Sequence, residues 1–123
     1  MTLNLFRRSP LRHWIESQQL HLIDIGARGG MDADLMPIAW AVNASGFEPA
    51  AEECHRLNQL PATPWRSSRY VPTAVGGFDG VSHFRIPYNG AGASLLPHNP
   101  VMLNCYGHSA LHQTLNEIAV DTL

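Results

Sequence analysis

Seven residues constrain this chain more than any others: Asp24-Ile25-Gly26-Ala27-Arg28-Gly29-Gly30, set between a short apolar run and a helix-forming stretch. The run before them, His21-Leu22-Ile23-Asp24-Ile25, is short, apolar and partly β-branched, which predicts a buried strand of a parallel sheet. After them, Asp32 is placed to cap a second helix running to about Val42, disturbed at Pro37. The glycines let the backbone turn sharply and let a ligand approach it closely. A strand, a glycine turn and a helix in that order open a βαβ unit.

The neighbouring segments extend the same alternation. Upstream, Ser9 suits a cap and Pro10 a first helical position, and Leu11 through Gln19 carry no breaker. Leu11, Trp14 and Ile15 fall on one apolar stripe of that leading helix. Downstream, Ala44 to Glu48 reads as a second strand. Pro49 then opens a helix to about Leu60, with Glu52 and Glu53 in its early turns, where the helix dipole favours them. Pro61 and Pro64 end it, and Arg69 to Val75 reads as a third strand, near an edge because of Pro72. The fold class is therefore α/β, with parallel strands, right-handed crossovers and helices on both faces.

Past residue 75 the character changes. Gly76 to Gly80 is a turn-rich connector, and Val81 to Tyr88 reads as a strand pairing back in a β-hairpin. Asn89 to Pro100 is a loop, Ala110 to Leu115 a weak helix, and Ile118 to Leu123 a final strand. At 123 residues the chain is predicted to be a single domain: 1–20 a leading helix, 21–75 a βαβαβ unit, and 76–123 hairpin, loop and last strand.

Composition excludes several functions. The basic residues are all arginine, so no Schiff base, pyridoxal phosphate anchor or P-loop lysine can form. A net charge of −2 argues against nonspecific nucleic-acid binding. No apolar run approaches the roughly 20 residues of a transmembrane helix. The N-terminus lacks the apolar stretch of a signal peptide. Cys54 and Cys105 form no CxxC, which predicts reduced thiols and a cytoplasmic location.

The candidate chemistry lies in the glycine turn and Glu48, which comes 22 positions after Gly26. Nucleotide-binding βαβ units place an acidic residue about 20 positions past the glycines, where its carboxylate holds the two ribose hydroxyls. A dinucleotide fingerprint starting at Gly26 needs glycines at 28 and 31, where Arg28 and Met31 stand. A phosphate-free nucleoside fits better. S-adenosylmethionine qualifies, and Asp24 at the strand tip favours its positive charge.

These residues carry a family resemblance. Leu22 to Gly30, then Gly46-Phe47-Glu48-Pro49 with Glu52-Glu53-Cys54 and Leu57, then Tyr70 to Gly76, resemble the FkbM family of S-adenosylmethionine-dependent methyltransferases. Gly77 to Gly80, Gly92 to Leu96 and Val120 to Leu123 continue the likeness. The resemblance implies a Rossmann-like class I methyltransferase fold and O-methylation of a hydroxyl on a sugar, glycolipid or natural product. By the same resemblance Asp24, Gly26, Ala27, Arg28, Gly29 and Gly30 line the methionine side, Glu48 holds the ribose, and Ala74 and Val75 lie near the adenine. The likeness stops before that family's next strand, so the chain corresponds to an incomplete, N-terminal cofactor-binding half with much of the acceptor site lacking. No catalytic base is singled out. An alternative from another class is a non-catalytic remnant or assembly module that forms homo-oligomers through an open sheet edge.

The remaining polar residues read as ordinary. His108 and His112 stand four apart behind Cys105, a spacing zinc sites use, but no HExxH glutamate or third ligand accompanies them, so no metal is expected. Arg7, Arg8 and Arg12 read as a solvated helix start, and Trp14, Trp40 and Trp65 as core or interface anchors.

Overall fold

A computed structural model describes residues 5–87, 93–97, 99–105 and 113–122. It is mixed α/β and divides into two compact units, Met1–Val75 and Gly76–Leu123.

The first unit is built on a three-stranded parallel sheet: β1 (His21–Ile25), β2 (Asn43–Phe47) and β3 (Ser67–Val71), in that spatial order. The register runs straight across, Asp24 beside Gly46 and Gly46 beside Tyr70. Two right-handed crossovers stepping in one direction place both connections on one face. Met31, Ala39, Val42, Ala44 and Trp65 form the core there, with Leu22 and Tyr70 packed against them. The expectation of helices on both faces is corrected accordingly. On the opposite face Ile23 and Ile25 are 55% and 58% exposed. For the same reason β1 is not a fully buried strand: its burial alternates, because one face is covered and the other is not.

The connections follow their local chemistry with some surprises. Asp32 caps the first as expected, accepting the Asp34 N–H at 2.8 Å, but the helix it opens, Ala33–Ala41, is a 3-10 helix. Pro37 inside it has no N–H to donate, and in an α-helix its ring would clash with the carbonyl four residues back. The second connection carries α3 (Ala51–Asn58), with Glu52 and Glu53 in its first turn and Cys54 and Leu57 buried. Pro72 interrupts the expected third strand. Only Ser67–Val71 joins the sheet, and Ala74–Val75 forms a separate two-residue strand, β4.

The leading helix is two short helices, α1 (Leu5–Arg8) and α2 (Arg12–Ser17). Ser9 does not cap the second. Its hydroxyl donates back to the Phe6 carbonyl at 3.0 Å, which closes the first. Of the expected apolar stripe only Ile15 is buried, while Leu11 and Trp14 are more than half exposed. Trp40 instead stacks under the Arg7 guanidinium, 5.8 Å from the ring centre.

The second unit centres on β5 (Gly80–Pro87) and β6 (Gln113–Asp121), antiparallel from Gly80↔Val120 to Pro87↔Gln113. Val81 to Tyr88 therefore does not pair back with the preceding strand. Its partner is the last strand, which begins earlier than expected and takes in residues 113–115 of the weak helix; residues 110–112 lie outside the described residues. Asp79 ties the open end of the pair by accepting both the Thr122 N–H and its hydroxyl, at 2.7 and 2.8 Å. These bonds hold the Asp79 carboxyl below its ordinary pKa. A short helix unforeseen in the sequence, α4 (Pro100–Cys105), lies within the stretch between them.

Space, not conformation, explains the glycine at 46. A Cβ there would stand 2.7 Å from the Ala27 Cβ and 2.8 Å from the Tyr70 ring. Gly46→Ala is therefore expected to cost about 1–3 kcal/mol in urea unfolding, the usual range for overpacking. Gly77→Ala, where a Cβ meets nothing within 4 Å, is expected to leave the midpoint nearly unchanged.

Candidate functional site

In an open parallel α/β sheet, ligands bind outside the carboxyl ends of the strands. The expected site residues gather at that end. Asp24 is the next-to-last residue of β1, Gly26 to Gly30 follow the strand, and Glu48 follows β2 directly. Ala74 and Val75 come shortly after the end of β3, with Thr73 and Ala74 buried.

The glycine turn is a strained path made regular by its residues. Gly26 and Gly29 have φ of +85° and Gly30 +121°, a region that side chains disfavour. The turn is closed by bonds within itself and to β1, β2 and α3. The Gly26 and Ala27 N–H groups both donate to the Phe47 carbonyl, at 2.9 and 3.1 Å. Arg28 N–H donates to Gly26 O and Gly30 N–H to Ala27 O. Gly29 N–H donates to Glu53 Oε1 at 3.0 Å, and Asp32 N–H to Asp24 Oδ2 at 2.9 Å. The Tyr70 hydroxyl lies beside this backbone, 3.8 Å from where a Cβ on Gly30 would stand. Every N–H from Gly26 to Gly30, and that of Asp32, thus has a partner within the chain, unlike a glycine-rich anion loop, which cradles phosphate with free amides.

Two of those partners were not legible as site residues. Tyr70 reaches the turn because it shares a row with Gly46 and Asp24, and its ring lies across the space a Gly46 side chain would fill. Burial, together with the nearby Asp24 charge, pushes its phenol above the ordinary range. Glu53 was read only as a helix-dipole residue. It also bonds Gly29 and takes a two-pronged contact from Arg56, with Nε and Nη2 each at 2.7 Å. A carboxylate one helical turn before an arginine on the same helix was the available signal.

Glu48 is 3% exposed. One carboxylate oxygen accepts the Ala50 N–H at 2.8 Å, at the start of α3. Among the described residues its other oxygen has no donor. The Cys54 thiol beside it is pushed up by burial and by the Glu48 charge. Asp24 is half-buried and Arg28 exposed. The turn therefore carries negative charge at the strand ends and one positive side chain on its outer rim.

Cys105 is exposed, and His108 and His112 lie outside the described residues. Among the described residues no three His, Cys, Asp or Glu side chains converge, and no helix is long and apolar enough to cross a membrane. No protein-family model, curated protein or solved structure matches the chain.

Glu53 yields a pH prediction. Arg56, through its hydrogen bonds, does most to hold the carboxyl down at about 2, well below the usual carboxylate range. A carboxyl with a lowered folded pKa adds stability above its unfolded value and loses it as pH falls. Urea unfolding followed from pH 5 to pH 2 is expected to show falling stability across that window. Glu53→Gln is expected to flatten that part of the curve and to be less stable than the parent at pH 5.

Proposed function

We propose that this chain is the cofactor-binding part of an S-adenosylmethionine-dependent methyltransferase of FkbM type. The acceptor is a hydroxyl on a sugar, a glycolipid or a related small molecule. The observation that carries the reading is Glu48: a buried carboxylate at the carboxyl end of the middle strand, with one oxygen that has no donor among the described residues. Leaving such an acceptor unpaired costs free energy, and a ribose diol supplies two O–H donors.

The turn supports the choice of nucleoside. With its amides closed on the chain itself, it suits a ligand without phosphate and disfavours NAD. Asp24 would pair with the ammonium of the methionine portion and Arg28 with its carboxylate. Ala74 and Val75, following β3, would offer backbone and apolar surface to the adenine. When bound, the cofactor supplies an electrophilic methyl group carried on a sulfonium. The chain's own contribution is to hold and orient it, and orientation is a large part of such catalysis.

Calorimetric titration of S-adenosylhomocysteine into the purified chain tests this. Micromolar binding is expected, with NAD giving no heat. Glu48→Gln keeps the shape but halves the acceptor capacity, and is expected to weaken binding about 10–100-fold, the loss of one or two charge-assisted hydrogen bonds. No binding by a folded chain refutes the cofactor reading.

A further inference from the structure

Three carboxylates at the carboxyl end of the parallel sheet bond to backbone amides. Asp24 takes the Asp32 N–H, Glu48 the Ala50 N–H and Glu53 the Gly29 N–H. Of these three, Glu53 alone is also held by an arginine among the described residues. Arg56 reaches it along α3 with two prongs: Nε donates to Oε2 and Nη2 to Oε1, each at 2.7 Å. Oε1 also accepts the Gly29 N–H at 3.0 Å, so one oxygen joins the Arg28–Gly29 peptide to α3. The Glu53 side chain is 17% exposed and that of Arg56 53%, so the guanidinium is the outer partner of the pair. Arg28 stands immediately before the gripped peptide. Its charge is near enough to favour the Glu53 carboxylate, yet among the described residues Arg28 forms no ion pair. Arg56 engages both oxygens instead.

We propose that Arg56 and Glu53 are positioning residues that keep Arg28 available for a ligand carboxylate, and so make the site select nucleosides that carry an amino-acid end. The proposal rests on the cofactor reading, in which Arg28 meets the carboxylate of the methionine portion. Two effects follow from the geometry. The Glu53–Gly29 bond fixes the plane of the peptide that leaves Arg28, and with it the direction in which the Arg28 side chain starts. The Arg56 fork neutralises Glu53. Without Arg56, the Glu53 charge would draw Arg28 to itself and repel an arriving carboxylate. A planar fork also fixes both carboxylate oxygens, which a lysine could not do.

Calorimetry on the full chain with two ligands tests this. One is S-adenosylhomocysteine; the other is methylthioadenosine, a nucleoside thioether without the amino-acid end. The parent is expected to prefer S-adenosylhomocysteine by at least about tenfold, as a charge-assisted pair allows. Arg56→Gln is expected to weaken S-adenosylhomocysteine about 5–10-fold and methylthioadenosine less than about twofold. Adding Glu53→Gln to Arg56→Gln removes the unpaired charge. S-adenosylhomocysteine affinity is then expected to return to within about twofold of the parent. A purely structural clamp gives the reverse: the double variant is at least as weak as the single one, and both ligands are weakened alike. Either of those results overturns the proposal and leaves the cofactor reading standing. A parent that binds both ligands equally also overturns it. A folded parent that binds neither overturns both. Should Arg56→Gln lack a native circular dichroism spectrum, Glu53→Gln alone decides, because glutamine keeps an acceptor for the Gly29 N–H. Unchanged or tighter S-adenosylhomocysteine binding is expected there, and weaker binding overturns the proposal.

Discussion

The absence of a side chain at Gly46 organises the carboxyl end of the parallel sheet. Ala27 and the Tyr70 ring both occupy the space a Cβ would need there. Ala27 is 1% exposed, and its seat at that point fixes where the glycine turn leaves β1. Tyr70 crosses the middle strand and meets the far side of the turn at Met31. The two ends of the turn are thus held from one position on its neighbouring strand. Side chains pack to crystal-like density in such interiors, so there is little slack for a substitute to take up.

The closing of the turn has a chemical consequence. Its glycines are used for conformation, with no atom crowding Gly26 or Gly29, and its amides are bonded to carbonyls and carboxylates of the same chain. A loop of this kind presents shape and side-chain charge to a ligand rather than a nest of free N–H groups. Glu53 is part of this closure: it binds the turn to α3 and is itself held by Arg56. Glu48 differs from Glu53 in that its carboxylate is buried and, among the described residues, only half satisfied. A structural carboxylate and a candidate ligand-binding one stand five residues apart, distinguished by their partners.

The β3 edge shows how one side chain changes what a strand can do. Asn58 accepts the Tyr70 N–H and donates to its carbonyl, each at 2.8 Å. It thereby gives β3 the hydrogen bonds of a further strand without adding one. Cover of this kind is one of the ways natural sheets blunt an edge.

Much of the first unit was legible in the sequence because its signals are local. The apolar run before the glycines, the acidic first turn of α3 and the Asp32 cap each act within a few residues. They depend on backbone dihedrals and neighbouring amides that the chain carries with it. Glu48 could be singled out by its spacing from Gly26. What stayed hidden rests on residues distant in the chain. The partner of β5 is β6, about thirty residues on, which no hairpin signal encodes. The Tyr70 ring over Gly46, the Asn58 cover of β3 and the burial of the Glu48 carboxylate exist only once three strands are in register. Local chemistry decided which segments became strands, turns and helices. Tertiary packing decided which faces were covered and which polar groups found partners, because burial and hydrogen bonding are properties of neighbours in space.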